Sequence, residues 1–133
     1  MATGRDQSNT GHGYDRPNAV AGQQIDLDSS QRSTGRWFNT QAVALQPLGT
    51  YGNLGRNVAS GPGIFSVDFS TLKRFNLTER RYLQFRFEAF NVLNHPNFGD
   101  PNTSLSANSF GTITDTRSGI NMRELQLSLK LVF

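Results

Sequence analysis

Arg123-Glu124-Leu125-Gln126-Leu127-Ser128-Leu129-Lys130-Leu131-Val132-Phe133 alternates between apolar and mostly polar residues over its whole length. Side chains of a β-strand point to opposite faces in turn. Leu125, Leu127, Leu129, Leu131 and Phe133 therefore share one face, and Glu124, Gln126, Ser128, Lys130 and Val132 share the other. Eleven residues also match the ~9–11 that a tilted strand needs to cross a bilayer. A half-buried strand of a water-soluble antiparallel sheet produces the same alternation. The rest of the chain has to separate the two readings.

Two upstream runs have the same period. From Ile64 to Phe75, Phe65, Val67, Phe69 and Thr71 alternate with Ser66, Asp68 and Ser70. From Arg81 to Val92, Leu83, Phe85, Phe87 and Ala89 alternate with Gln84, Arg86 and Glu88. Phe, Leu and Val on one-sided pleated segments suit a sheet. The expectation is an all-β chain with antiparallel strands at 64–75, 81–92 and 123–133. The first two are joined by a tight turn at 76–80. The last two are separated by a long segment from about Leu93 to Met122, which holds Asn94-His95-Pro96-Asn97, Asp100-Pro101-Asn102 and Phe110-Gly111. Short turns on one side and long loops on the other are the habit of bacterial outer-membrane barrels.

Residues 1–63 differ in character. Gly, Asn, Ser, Gln and Asp dominate, no helix or strand period persists, and turn signals crowd the segment at Gly11-His12-Gly13, Arg16-Pro17-Asn18, Gly52-Asn53-Leu54-Gly55 and Ser60-Gly61-Pro62-Gly63. This half is expected to be irregular and solvent-facing, with a short helical turn near Trp37–Val43. So long a loop implies function or disorder. Two parts follow: 1–63, loop-rich, and 64–133, three strands with one tight turn and one long loop.

Composition narrows the function classes. At 133 residues the chain is one small domain in size, only 35% of its residues are hydrophobic, and no run approaches the ~18 apolar residues of a membrane-spanning helix. That leaves barrels open, because their lumens and loops are polar. Without cysteine, disulfides and thiolate metal sites are excluded. Thirteen basic and ten acidic residues are interspersed, for a net charge of +3, too mild and scattered for nucleic-acid binding. The first residues contain no apolar segment of the kind a secretory signal needs. If the protein acts outside the cytoplasm, further sequence upstream of Met1 is expected.

Several short blocks carry a resemblance. Gly52-Asn53-Leu54-Gly55-Arg56-Asn57, Gly61-Pro62-Gly63, Asp68-Phe69-Ser70, Lys73-Arg74-Phe75, Phe110-Gly111-Thr112-Ile113, the Phe133 ending and, most specifically, Phe85–Gly99 resemble the C-terminal region of TonB-dependent outer-membrane receptors. Arg16-Pro17-Asn18 and Trp37-Phe38-Asn39 are similar to the Oar-like branch common in Acidobacteria, which carries an N-terminal carboxypeptidase-regulatory-like domain. The resemblance implies the C-terminal end of an outer-membrane β-barrel, located in the cell outer membrane, that serves uptake of a large solute without enzymatic chemistry or cofactor. Implied partners are outer-membrane lipid, the barrel-assembly machinery, and the rest of the receptor barrel or other copies of the chain. The final eight residues resemble the signal that machinery reads. Gln126, Leu131 and Phe133 fit it, while Ser128 stands where glycine is usual. Receptors of this family close about 22 strands around a plug. Three strands cannot close, so a receptor end, a fragment or a shortened relative that borrows strands is expected. In the barrel reading Asp68, Arg86, Glu88, Glu124 and Lys130 face the lumen. The aromatic set of Phe65, Phe69, Phe75, Tyr82, Phe85, Phe87, Phe90 and Phe98 forms the lipid face and its interfacial girdle.

Other candidate sites read as structure. His12 and His95 each lack a second ligand at metal spacing, and His95 sits in a turn-forming stretch. Asp26-Leu27-Asp28 offers oxygens to a hard cation but lacks a fuller calcium-loop pattern. Asp68 and Glu88 come with no nucleophile or base, and the glycine-rich turns lack the lysine of a phosphate loop. No catalytic or metal residue is assigned. The competing function is a small secreted or cell-surface structural protein whose strands pair with copies of itself or a partner, since open strand edges template assembly.

Overall fold

A computed structural model describes residues 1–11 and 13–133. The chain is all-β, with antiparallel sheets and no α-helix among the described residues. Two compact units are present: residues 1–62 with 99–115, and residues 63–98 with 116–133.

The second unit holds the sheet that the alternating runs announce. Strands β3 (Phe69–Asn76), β4 (Tyr82–Phe90) and β5 (Glu124–Val132) form a three-stranded antiparallel sheet with β4 in the centre. Two shorter strands, β1 (Asn18–Ala19) and β2 (Val43–Ala44), lie in the first unit. The turn between β3 and β4 closes with the Leu77 and Thr78 amides donating to the Arg81 carbonyl, and the Thr78 hydroxyl accepting from the Arg81 amide.

The strands are shorter than the periodicity predicts, and buried asparagines explain why. Ile64–Asp68 carries the strand pattern but lies outside the ladder. Its backbone is held by one main-chain bond, from the Val92 amide to the Val67 carbonyl at 2.8 Å, and otherwise by side chains. The Asn97 carboxamide accepts from the Phe65 amide at 2.8 Å and donates to the Phe65 carbonyl at 2.9 Å, as a neighbouring strand would. The Asp68 carboxylate accepts from the Asn91 amide at 2.8 Å. At Asn91 the backbone turns left-handed (φ 47°), which ends β4. Asn91 itself is buried; its side chain bonds His95 and the Asn121 carbonyl.

The first unit is irregular, as its composition predicts, but much of it is not solvent-facing. Phe38, Ala42, Val43 and Leu54 are buried, with Thr3, Ser8, Asp15 and Gln46. Sparse apolar residues suffice because side chains bond loop backbone at many points. The Asp15 carboxylate takes the amides of Gln7 and Ser8, for example. Strand β1 (Asn18–Ala19) pairs with β2 (Val43–Ala44). The expected turn near Trp37 is a short 3-10 helix, Thr40–Ala42, after Asn39, whose side chain accepts from the Gln41 amide. A second lies at Ser29–Gln31.

Candidate functional site: the two faces of the three-stranded sheet

Register sorts the sheet into rows. Phe69, Ala89 and Leu125 share a row, followed by Thr71, Phe87 and Leu127, then Lys73, Phe85 and Leu129, then Phe75, Leu83 and Leu131. These rows form one face, apolar except for Thr71 and Lys73. On the other face Ser70, Glu88 and Gln126 share a row, then Leu72, Arg86 and Ser128, then Arg74, Gln84 and Lys130. Beyond these rows stand Phe90 with Glu124 at the loop end, and Asn76, Tyr82 and Val132 at the turn end.

Arg86, Glu88, Glu124 and Lys130 therefore share the polar face. Arg86 and Glu88 approach to 3.8 Å along β4. Asp68 lies at its loop end, accepting from Asn91 and the Ser66 hydroxyl. There a cavity of about 410 Å³ opens, with Asp68, Phe90, Asn91, Met122 and Glu124 in its lining. Gln126 and Ser128 stand on the same face as these charges, whereas Leu131 ends the apolar face and Phe133 follows it at 92% exposure.

Two aromatics leave the set assigned to the lipid face and girdle. Tyr82 pairs with Asn76 and Val132 on the polar face, where the Arg74 guanidinium stacks 3.8 Å from its ring centre. Phe90 is on that face too, opposite Glu124. A count of two from Leu83 gives both corrections.

Neither face is covered. Leu125, Leu127 and Leu129 are 60–68% exposed, and all of β3 is exposed. Both outer edges, β3 and β5, lack a neighbouring strand among the described residues. A water-soluble sheet covers one face; this one leaves apolar rows and backbone edges open together.

The blocks quoted from the sequence converge within each unit. In the first, Ala19 donates to the Asn53 side chain and Leu54 to the Pro17 carbonyl, which joins the Arg16 and Gly52 blocks. A side chain at Gly52 would run into the Arg16 and Pro17 backbone. Phe38 meets Phe110 edge-on at 5.2 Å, and the Trp37 amide donates to the Gly111 carbonyl. In the second, Phe65 and Asn97 are paired, and the His95 ring stands edge-on to Phe65. The candidate metal residues have other engagements: Asp26 is 3.6 Å from Arg32 and accepts from Ser60. His12 lies outside the described residues. Asn91 and Asn97 were not identifiable as clamps from sequence; the repeated asparagines around His95 signal only a turn.

A family model, outer membrane beta barrel domain, matches residues 1–126. The chain belongs to this family of outer-membrane β-barrel domains. No curated protein and no solved structure gives a significant match. As part of an outer-membrane β-barrel domain, the sheet's uncovered state has a physical reason. In a barrel wall lipid covers one face, the lumen the other, and adjacent strands the edges.

Proposed function

We propose that this barrel domain is the C-terminal part of a TonB-dependent, Oar-like receptor in the cell outer membrane, and that it contributes wall and external loops to solute uptake without enzymatic chemistry. The observation that carries the reading is the sheet with both faces and both edges open. The quoted sequence blocks add the receptor family. Nine residues at ~3.4 Å each, tilted by about 40°, span roughly 23 Å, close to the ~25 Å apolar band of such barrels.

The same topology argues against a ring of copies. Strands β3 and β5 both run antiparallel to β4, hence parallel to each other. Cyclic copies would place β5 beside the next β3 with the two parallel, whereas bacterial outer-membrane barrels are antiparallel throughout. An odd number of further strands from elsewhere completes the pattern. In this reading short turns are periplasmic and long loops external, and the assembly machinery engages Gln126, Ser128, Leu131 and Phe133.

The test is to extract the protein carrying this chain from its native outer membrane in mild detergent and pass it over immobilised periplasmic TonB domain. A receptor is retained and shifts in gel mobility on boiling. A boiling shift without retention leaves a barrel of another function. Fractionation away from the outer membrane contradicts the whole reading.

A further inference from the structure

The pattern does not explain Lys73. It lies on the apolar face, in a row with Phe85 and Leu129, and is exposed. A lysine facing acyl chains near mid-depth costs ~2–4 kcal/mol. Its depth is only a few ångströms from the midplane, toward the turn. Asn76, where β3 ends, is three residues further on, so Lys73 lies about 8 Å from that end along the barrel axis. A lysine can bury its alkyl stem over that span and carry its ammonium to the interface.

The interface it reaches is basic. One step past the Asn76–Tyr82 pair, Arg81 returns to the Lys73 side of the sheet, and Arg80 precedes it in the turn. Both are exposed, and neither they nor Lys73 enter an ion pair among the described residues. Charge is sorted along the whole sheet. Asp68, Glu88 and Glu124 gather toward the loops, whereas Lys73, Arg74, Arg80, Arg81 and Lys130 gather toward the turn. Arg86 in the middle row, Glu79 in the turn and Arg123 beside the loops are the exceptions.

We propose that Lys73, Arg80 and Arg81 form a binding site for the phosphate-bearing headgroups of anionic phospholipid in the leaflet at the turn end. The inference rests on the membrane reading above. Charge complementarity selects the occupant: cations close to an anionic leaflet gain from its surface potential, and Phe75, Leu83 and Leu131 between Lys73 and Arg81 meet the acyl chains. A soluble anion would leave those apolar side chains uncovered.

The experiment dilutes the protein carrying this chain, with its remaining strands, from urea into vesicles of phosphatidylcholine alone, and of phosphatidylcholine mixed with phosphatidylglycerol, and measures binding by flotation. The readout is the ratio of the two affinities, which cancels differences in folding between variants. Lys73→Gln, Arg80→Gln and Arg81→Gln should each lower the ratio on the order of fivefold. A charge-matched variant with Arg5, Arg36 and Arg56 changed to Gln should leave it intact. Equal loss in both sets, or none in the first, overturns the site. Reversal by soluble glycerophosphate at constant ionic strength overturns the lipid assignment. Absence of binding even to neutral vesicles contradicts the membrane reading itself, and so is distinguishable from failure of the headgroup site.

Discussion

At the residue scale, single polar side chains do work that a core or ladder does elsewhere. Asn97 is buried and supplies both hydrogen bonds of a missing strand neighbour to Phe65. Changing Asn97→Leu keeps the branched heavy-atom skeleton but strands both Phe65 groups, at a cost of roughly 1–3 kcal/mol. Hydrogen exchange should show the Phe65 amide losing protection while the Phe85 amide, inside β4, keeps it; unchanged protection at Phe65 contradicts the clamp. Asp6 acts similarly in the loop before Asp15. Its carboxylate accepts from the Gly11 amide at 2.7 Å and the Thr10 amide at 3.1 Å, and the Gly11 bond chiefly holds its pKa below the ordinary aspartate value. A lowered folded-state pKa contributes stability above the ordinary value, lost as pH falls through the folded one. NMR titration should therefore find the Thr10 and Gly11 amide shifts changing at a pH below the usual aspartate midpoint. A midpoint at or above the usual value contradicts that bonding. None of these roles is legible in sequence, where Asn and Asp in polar stretches signal turns and no more.

At the scale of elements, much was legible and the reason is periodicity. A strict count of two located β3, β4 and β5 and their tight turn, because side-chain direction on a pleat follows position alone. The same count, continued past Thr71, places Lys73 among apolar residues and Tyr82 and Phe90 among polar ones. Aromatic identity pointed the other way for both rings. Strand ends were less legible: Ile64–Asp68 has the pattern but side chains instead of a ladder, and no propensity encodes that exchange. The buried set of the first unit was illegible for a related reason, since Phe38 and Leu54 are isolated apolar residues in a turn-rich stretch. A test at this scale exploits the open leucine row. Each leucine side chain contributes about 2 kcal/mol when removed from water, so the isolated chain should self-associate through this face. Changing Leu127→Lys and Leu129→Lys together should shift sedimentation of the chain in detergent-free buffer toward monomer. In a complete barrel the same pair should block insertion, at roughly 2–4 kcal/mol per charge near the midplane. A parent chain that sediments as a monodisperse monomer at high concentration would mean that this face is covered within the chain.

At the scale of the whole molecule, the central claim is that one sheet separates lipid from water. Its apolar rows, polar rows and two open edges make sense together only in a wall continued by further antiparallel strands. This chain carries no cysteine, so single introduced cysteines along it can be spin-labelled once any cysteine elsewhere in the protein is replaced, which makes that claim directly measurable. Labels placed one at a time from Leu125 to Leu131, in the protein carrying this chain within its native outer membrane, report accessibility to oxygen, which concentrates in lipid, and to a water-soluble nickel complex. The account predicts two out-of-phase alternations: oxygen high at Leu125, Leu127, Leu129 and Leu131, and nickel high at Gln126, Ser128 and Lys130. Low accessibility to both at the leucines, or nickel access on both faces, would contradict it.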